Sequence, residues 1–253
     1  MKNIIVEKNE GILIVKLNRP KVRNAINLEM ANELQDVWDN FDHDDSVNIG
    51  ILTSTSENFC SGADLKDLDA LSSRAMVPTG PLGTTRRIPK KPVIAAIPGF
   101  CVAGGFELAL WADIRICEES TKFGFLERRF GVPLIDGGTQ RLPLISGLGN
   151  ALYLILTGNM IDAREALRMN IVSEIVPDGK SLDRAVEIAR TILSYPQNTV
   201  LSDRDAVYSG FSIDKGMMYE ARNGFYILKS GVPAAGARAF GEGKGRGGKQ
   251  LEH

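Results

Sequence analysis

The stretch from Val93 to Asp113 leaves the fold the fewest choices. Val93-Ile-Ala-Ala-Ile97 is a compact apolar strand, Pro98 and Gly99 turn it, and Gly-Gly-Phe-Glu-Leu-Ala-Leu-Trp from Gly104 onward reads as a helix with Glu107 in its first turn. A helix start leaves backbone N–H groups without partners and carries partial positive charge, so Gly104 and Gly105 can bring bare donors close to an anion. Glu107 follows Gly104 by about 4.5 Å along the helix axis, nearly on the same face. One turn can then supply an oxyanion donor and a carboxylate for proton transfer, which suits a carbonyl compound whose α-carbon becomes carbanion-like. The same residues also read as close packing of helix on strand, with Glu107 complementing the dipole. The stretch alone leaves both readings open.

Histidine usage narrows the chemistry. The closing Leu251-Glu-His253 looks like a tag remnant, and without it the only histidine is His43, in the acidic loop Phe-Asp-His-Asp-Asp. A Ser-His-Asp engine, a His-ligated zinc and a His general base are thereby disfavoured, and carboxylates must move any protons. Cys60, Cys101 and Cys117 are odd in number and lack metal-type spacing, which predicts a reduced, cytoplasmic setting. No metal or redox cofactor is expected. The net charge of −1 gives no global attraction for nucleic acid or an anionic membrane. The N-terminal apolar run is broken by charge after three residues and lacks a secretory core, and no stretch is long enough to span a bilayer.

Residues 4–17 predict two strands around Asn9-Glu10-Gly11, followed by a polar loop, Asn18 to Asn24, restrained by Pro20. A helix over about 27–41 places Met30, Leu34, Val37, Trp38 and Phe41 on one stripe, with Asn27 as cap. Val47 to Thr53 is a strand. Prolines and glycines between Asp67 and Pro92 predict a long loop, and its Arg86, Arg87, Lys90 and Lys91 read as a solvated surface or, alternatively, a ligand patch. Strands follow at 113–117 and 171–176, Lys122 to Glu127 leads to a Gly- and Pro-rich turn, and helices cover about 137–157, broken at Pro143 and Gly147. Asp162 and Glu165 form a capping box for the next helix, and another runs from Ser181 to Tyr195 until Pro196. Residues 200–240 are helical in pattern, with Met217, Met218, Ala221, Phe225 and Leu228 on one stripe. The glycine-rich tail, Gly241 to Lys249, predicts disorder.

Four segments in order, Leu17–Ile26, Phe59–Lys66, Pro92–Leu108 and Phe123–Leu142, together resemble the crotonase, or enoyl-CoA hydratase/isomerase, superfamily over nearly the whole chain. The resemblance implies an α/β spiral of ββα units over 1–195 and a helical C-terminal region over 196–253 that trimerises, giving a homotrimer or a dimer of trimers. It implies an acyl-CoA thioester substrate, which brings its own coenzyme A. The amides of Ala63 and Gly104 would grip the thioester oxygen. Ala63, Asp64, Leu65 and Lys66 would line the CoA path, joined by Lys21, Val22 and Arg23. Glu107 and Glu127 fall where hydratases carry two catalytic glutamates, Glu127 being favoured to deliver the proton to the α-carbon. Arg128 and Arg129 offer Glu127 a structural ion pair instead. Asp136 stands where hydratases tend to have a small residue: it is either a third acid, as in the family's dienoyl-CoA isomerases, or a cap for the helix opening at Gly137. The loop over 78–87 should shape the acyl pocket. Hydration of a 2-enoyl-CoA is the leading expectation. Double-bond isomerisation is the alternative, and a non-catalytic CoA- or RNA-binding scaffold is the reading from another class, with nucleic acid disfavoured by the lack of a broad basic face.

Overall fold

A computed structural model describes residues 2–211 and 213–244. The tag-like 251–253 and most of the glycine-rich tail lie outside the described residues. The elements run β1 (Ile4–Asn9), β2 (Ile12–Leu17), α1 (Leu28–Phe41), β3 (Ile49–Ser54), α2 (Leu68–Ser72), β4 (Val93–Ile97), β5 (Phe100–Val102) and α3 (Gly104–Trp111). They continue with β6 (Ile114–Glu118), β7 (Lys122–Gly124), α4 (Gly138–Ser146), α5 (Leu148–Thr157), β8 (Ile161–Asp162), α6 (Ala163–Arg168) and β9 (Glu174–Val176). Four helices close the chain: α7 (Ser181–Leu193), α8 (Gln197–Ser209), α9 (Ile213–Lys229) and α10 (Val232–Gly241). Short 3-10 turns occupy Pro20–Val22, Leu65–Asp67 and Leu126–Phe130.

The larger sheet has the order β1-β2-β3-β4-β6-β9, parallel from β2 onward, and a smaller sheet has the order β5-β7-β8. This is the ββα spiral: β4 and then β6 lie in the large sheet, and the strand after each, β5 and β7, pairs in the small one. Because β4 is sealed on both sides, its five residues are all apolar. Val93, Ala95 and Ile97 face the core shared with α1 and α3, while Ile94 and Ala96 face Ala185 and Ala189 of α7. Strand alternation explains the split.

The α1 stripe is buried as its spacing predicts, and Asn27 accepts a hydrogen bond from the Met30 amide at 3.0 Å. Trp38 packs edge-on to both Phe41 and Trp111, joining α1 to α3. Asp162 caps α6 by accepting from the Glu165 amide, but Glu165 turns to Arg168 instead of completing a reciprocal box.

Two further expectations fail. The 67–92 segment contains α2 and folds onto the body through internal turns, with Leu82, Thr84 and Thr85 fully covered. Of Arg86, Arg87, Lys90 and Lys91, only Lys90 is exposed: Arg86 is buried and donates to the carbonyls of Ile135, Ala75 and Val77, and Arg87 pairs with Asp39. Lys91 holds the carbonyls of Phe41, Asp44 and Val47 at the end of α1. Charge at a helix C-terminus, and buried carbonyls needing donors, account for this use. The second failure is Met218, predicted on the packed stripe of α9 but 54% exposed, while Met217 and Ala221 are buried.

Asn24 ties the first loop to the segment that builds the site. It sits at φ 55° and is wholly buried. Its side chain donates to Ser56 Oγ and to the carbonyls of Asn58 and Phe59, and accepts from the Arg19 amide at 2.8 Å. Asn24→Ala is expected to cost about 2–4 kcal/mol, since it orphans several buried groups and places a less tolerant residue at positive φ. Urea unfolding followed by circular dichroism measures it.

Candidate functional site

Two chain crossings make the site. Cys60 and Cys101 pair in a parallel bridge, through Cys60 N–H to Phe100 O and Val102 N–H to Cys60 O, and the chain then turns at Gly62 on one side and at Ala103 on the other. A second bridge, Ile26 with Ala63, anchors the first turn. Gly62 has φ 92°, and Ala103 has φ 53° and ψ −134°, a strained conformation for a residue with a Cβ. The strain aims the start of α3 at the Gly62 turn.

The approach is close. A Cβ placed on Gly62 would lie 2.8 Å from the Gly104 nitrogen, and one on Gly104 would lie 3.6 Å from the Ala63 nitrogen. A Cβ on Gly105 would collide with the Cys60 carbonyl. Among the described residues, the amides of Ala63 and Gly104 donate to no protein acceptor. Two free N–H groups, one of them at a helix N-terminus, thus stand side by side. Leu82, from the 78–87 loop, packs onto Gly104: its Cδ1 would be 2.8 Å from a Cβ there.

Glu107, one turn into α3, is only 3% exposed. Its Oε1 accepts from the amides of Asp136 at 3.0 Å and Gly138 at 2.9 Å. Gly138 allows this, since a Cβ there would touch the Glu107 side chain at 3.0 Å. Burial raises the Glu107 pKa well above the usual carboxylate range, and the nearby Asp136, Glu220 and Glu127 push the same way. Glu127, in the 3-10 turn after β7, is brought beside α3 by Phe125 stacking on Phe106 with ring centroids 4.7 Å apart. Among the described residues both of its carboxyl oxygens are buried without a hydrogen-bond partner, and it makes no ion pair with Arg128 or Arg129. Burial lifts its pKa to about 8 against the pull of its own backbone N–H and of the Arg128 charge, so the neutral acid prevails at pH 7.

Asp136 does not cap α4. Gly137 occupies that position, and the Asp136 carboxylate instead accepts from the Leu82 amide at 3.1 Å and from the Thr85 hydroxyl. The reason is local geometry: the chain enters α4 through a left-handed Gly137, which turns the Asp136 side chain to the 80–85 loop. The cap falls to Glu220 of α9, whose Oε1 accepts from the Gly137 amide at 2.7 Å and whose Oε2 accepts from the Thr139 amide at 3.2 Å and the Thr139 hydroxyl. Sequence reading missed Glu220. The signal was there, since Met217, Glu220, Ala221 and Gly224 share the buried face of α9 and a carboxylate on such a face needs donors.

The other predicted site residues gather at the rim. Ser61 binds the 20–23 turn through its amide to Arg23 O at 3.0 Å and its hydroxyl to Val22 O at 3.3 Å, so the two loops stand together. Lys21, Val22, Arg23 and Lys66 are exposed there, Arg23 lying over the Phe100 ring. Leu65 is half-buried. The Asp64 carboxylate is committed to Arg19 at 3.0 Å and to the Lys66 amide, which leaves its backbone for any ligand. Among the described residues no group of His, Cys, Asp and Glu could hold a metal ion, and no helix is long and apolar enough to cross a membrane.

Linkage gives a test of Glu127's burial. A carboxyl raised from 4.5 to about 8 stabilises the fold fully below pH 4.5 and loses that contribution as pH rises to about 8. The stability of Glu127→Gln relative to the parent is therefore expected to climb between pH 5 and 8, by on the order of a few kcal/mol, then level off. Melting temperatures across that range measure it, and a flat difference counts against a buried neutral acid.

A family model described as enoyl-CoA hydratase/isomerase matches residues 7–225. A protein of Syntrophomonas wolfei named crotonyl-CoA hydratase is 37% identical over 227 residues, covering 87% of this chain and 87% of that protein. One of Mycobacterium tuberculosis named probable enoyl-CoA hydratase is 34% identical over 229 residues, with 87% and 88% covered. The solved structure of a carnitinyl-CoA dehydratase from Mycobacterium avium superposes with a TM-score of 0.86 at 29% identity, over 95% of this chain and 97% of that one.

Proposed function

The chain belongs to the enoyl-CoA hydratase/isomerase family, and from that premise we propose that it is a hydro-lyase adding water across the double bond of a 2-enoyl-CoA. The observation that carries the reading is the buried, unpartnered carboxyl of Glu127 beside Glu107, one helical turn from two free amides. The thioester oxygen sits on the amides of Ala63 and Gly104. Ionised Glu107 takes a proton from water as its oxygen bonds to the β-carbon, and the π electrons move onto the thioester oxygen as an enolate. The enolate collapses, and its α-carbon takes the proton of neutral Glu127. The product is the 3-hydroxyacyl-CoA. Burial without a donor from another residue favours the neutral acid of Glu127, and the Asp136 and Gly138 amides on Oε1 favour the Glu107 anion, which gives the acid and base the reaction needs.

The exposed Lys21, Arg23 and Lys66 are placed to meet CoA phosphates, with Val22 and Leu65 supplying apolar contact. Isomerisation through Asp136 is less favoured, because one oxygen of that carboxylate is held by both Leu82 and Thr85. An RNA-binding role loses its basic face, because Arg86, Arg87 and Lys91 are spent on internal partners. Three free, buried cysteines support a reducing compartment such as the cytoplasm.

On adding protein, enoyl thioester absorbance should fall, with one solvent deuteron retained at the α-carbon and a mass gain of one water. Glu127→Gln should lose at least about 100-fold in kcat while keeping its fold. A Glu127→Gln protein as active as the parent would end the two-glutamate mechanism, and deuterium uptake without water addition would select isomerisation.

The occupant proposed for the exposed apolar stripe Leu148, Leu152 and Leu156 of α5 is a second copy of this chain in a homotrimer or dimer of trimers. Leu156 is 71% exposed and Leu148 66%, too much apolar surface in one line for a monomer at rest in water. Light scattering should give three or six copies for the parent and fewer for Leu148→Glu with Leu156→Glu. A monomeric parent removes the assembly.

A further inference from the structure

Four successive amides at the start of α4 are dealt alternately to two carboxylates. Those of Asp136 and Gly138 go to Glu107 Oε1, and those of Gly137 and Thr139 go to Glu220. The carboxylates come from opposite sides, Glu107 from α3 and Glu220 from α9. Gly138 makes room for Glu107, on which a Cβ would press, while a Cβ on Gly137 would run into Arg141 Nη1 and come within 2.8 Å of Met217 Cε on α9. Farther along α9, Gly224 packs so closely on Ile135 that a Cβ would overlap it. The α9 face is thus fitted to this turn, and Glu220 is the polar group it delivers.

We propose that Glu220 is a positioning residue for Glu107: by holding the odd-numbered amides it fixes the even-numbered ones on Glu107 Oε1 and so leaves Oε2 as the oxygen that meets the reactants. Oε2 has no protein hydrogen bond among the described residues. The role rests on the hydratase reading for its kinetic consequence, but not for its structural one. Glu220 also acts by charge. Burial raises the Glu220 pKa, three donors and the N-terminus of α4 draw it back toward the anion, and the charge of that anion discourages ionisation of Glu107. The charged groups facing Glu107 are Glu127 from the 3-10 turn, Asp136 before α4, Arg141 on α4 and Glu220 on α9. Those facing Glu220 are Glu107, Asp136, Arg86 and Arg141.

The test is carbon-13 NMR of protein labelled at the glutamate side-chain carboxyl, with Glu107 assigned through Glu107→Gln. In Glu220→Gln the Glu107 titration is expected to move down by about one pH unit, since a like charge has gone. With crotonyl-CoA, kcat should fall about tenfold with KM within twofold, and the acid limb of the kcat profile should move down with the titration. A folded Glu220→Gln whose Glu107 titrates as in the parent overturns the proposal. If Glu107 moves but the parent hydrates no enoyl-CoA, the hydratase reading fails and the positioning role stands. If Glu220→Gln does not fold, Thr139→Val, which removes only the hydroxyl on Glu220, should give a smaller shift of the same sign, and no shift overturns the proposal equally.

Discussion

The structure turns on the contact between the Gly62 turn and the start of α3. Two peptide N–H groups from segments far apart in sequence can stand side by side only if the strands before them are in register and neither turn carries bulk. The Cys60–Cys101 bridge fixes the register, and Gly62, Gly104 and Gly105 remove the bulk. Ala103 bears the cost, about 1–3 kcal/mol for its positive φ. Its amide is bonded to Gly124 O at 2.8 Å, so β7 holds the strained residue in place from the far side. The same strand leads into the turn bearing Glu127. One piece of backbone therefore sets both the oxyanion donors and the acid.

Around that contact the interior is unusually acidic. Glu107, Glu127, Asp136 and Glu220 are all buried, against two buried arginines close by, Arg86 and Arg141. Burial pushes each carboxyl pKa upward and pulls that of Arg141 down to about 10. Four anions could not persist together in such a volume, but the donors are unevenly shared. Asp136 and Glu220 receive hydroxyls as well as amides, Glu107 receives two amides, and Glu127 receives none. Burial without donors from other residues leaves Glu127 a proton holder at neutral pH.

The frame was legible in the sequence because it rests on local rules. Apolar strands of five residues, the α1 stripe, the Asn27 and Asp162 caps and the glycine turn before Glu107 each state their structure within a dozen residues. Proximity of Ala63 to Gly104 was legible only through the family pattern, since no local signal joins the two segments. What stayed hidden were side-chain choices made across the fold. Arg86 and Lys91 look like surface cations until the carbonyls they serve are known. Asp136 looks like a helix cap until Glu220 is seen to hold that place, and Met218 looks like core because a helical stripe is wider than the face α9 buries.

The 78–87 loop, the part least like the family pattern, joins these two themes. Asp136 hands its backbone N–H to Glu107 and its side chain to Leu82 and Thr85, so one residue couples the base to the loop. Leu82 then rests on Gly104, one of the two oxyanion residues. A larger acyl group near the thioester could enter only by moving Leu82, which would strain the Asp136 contacts and, through them, the amide on Glu107. Discrimination against bulk next to the thioester would then be felt in the chemical step as well as in binding, because the wall of the pocket and the orientation of the base hang on the same aspartate.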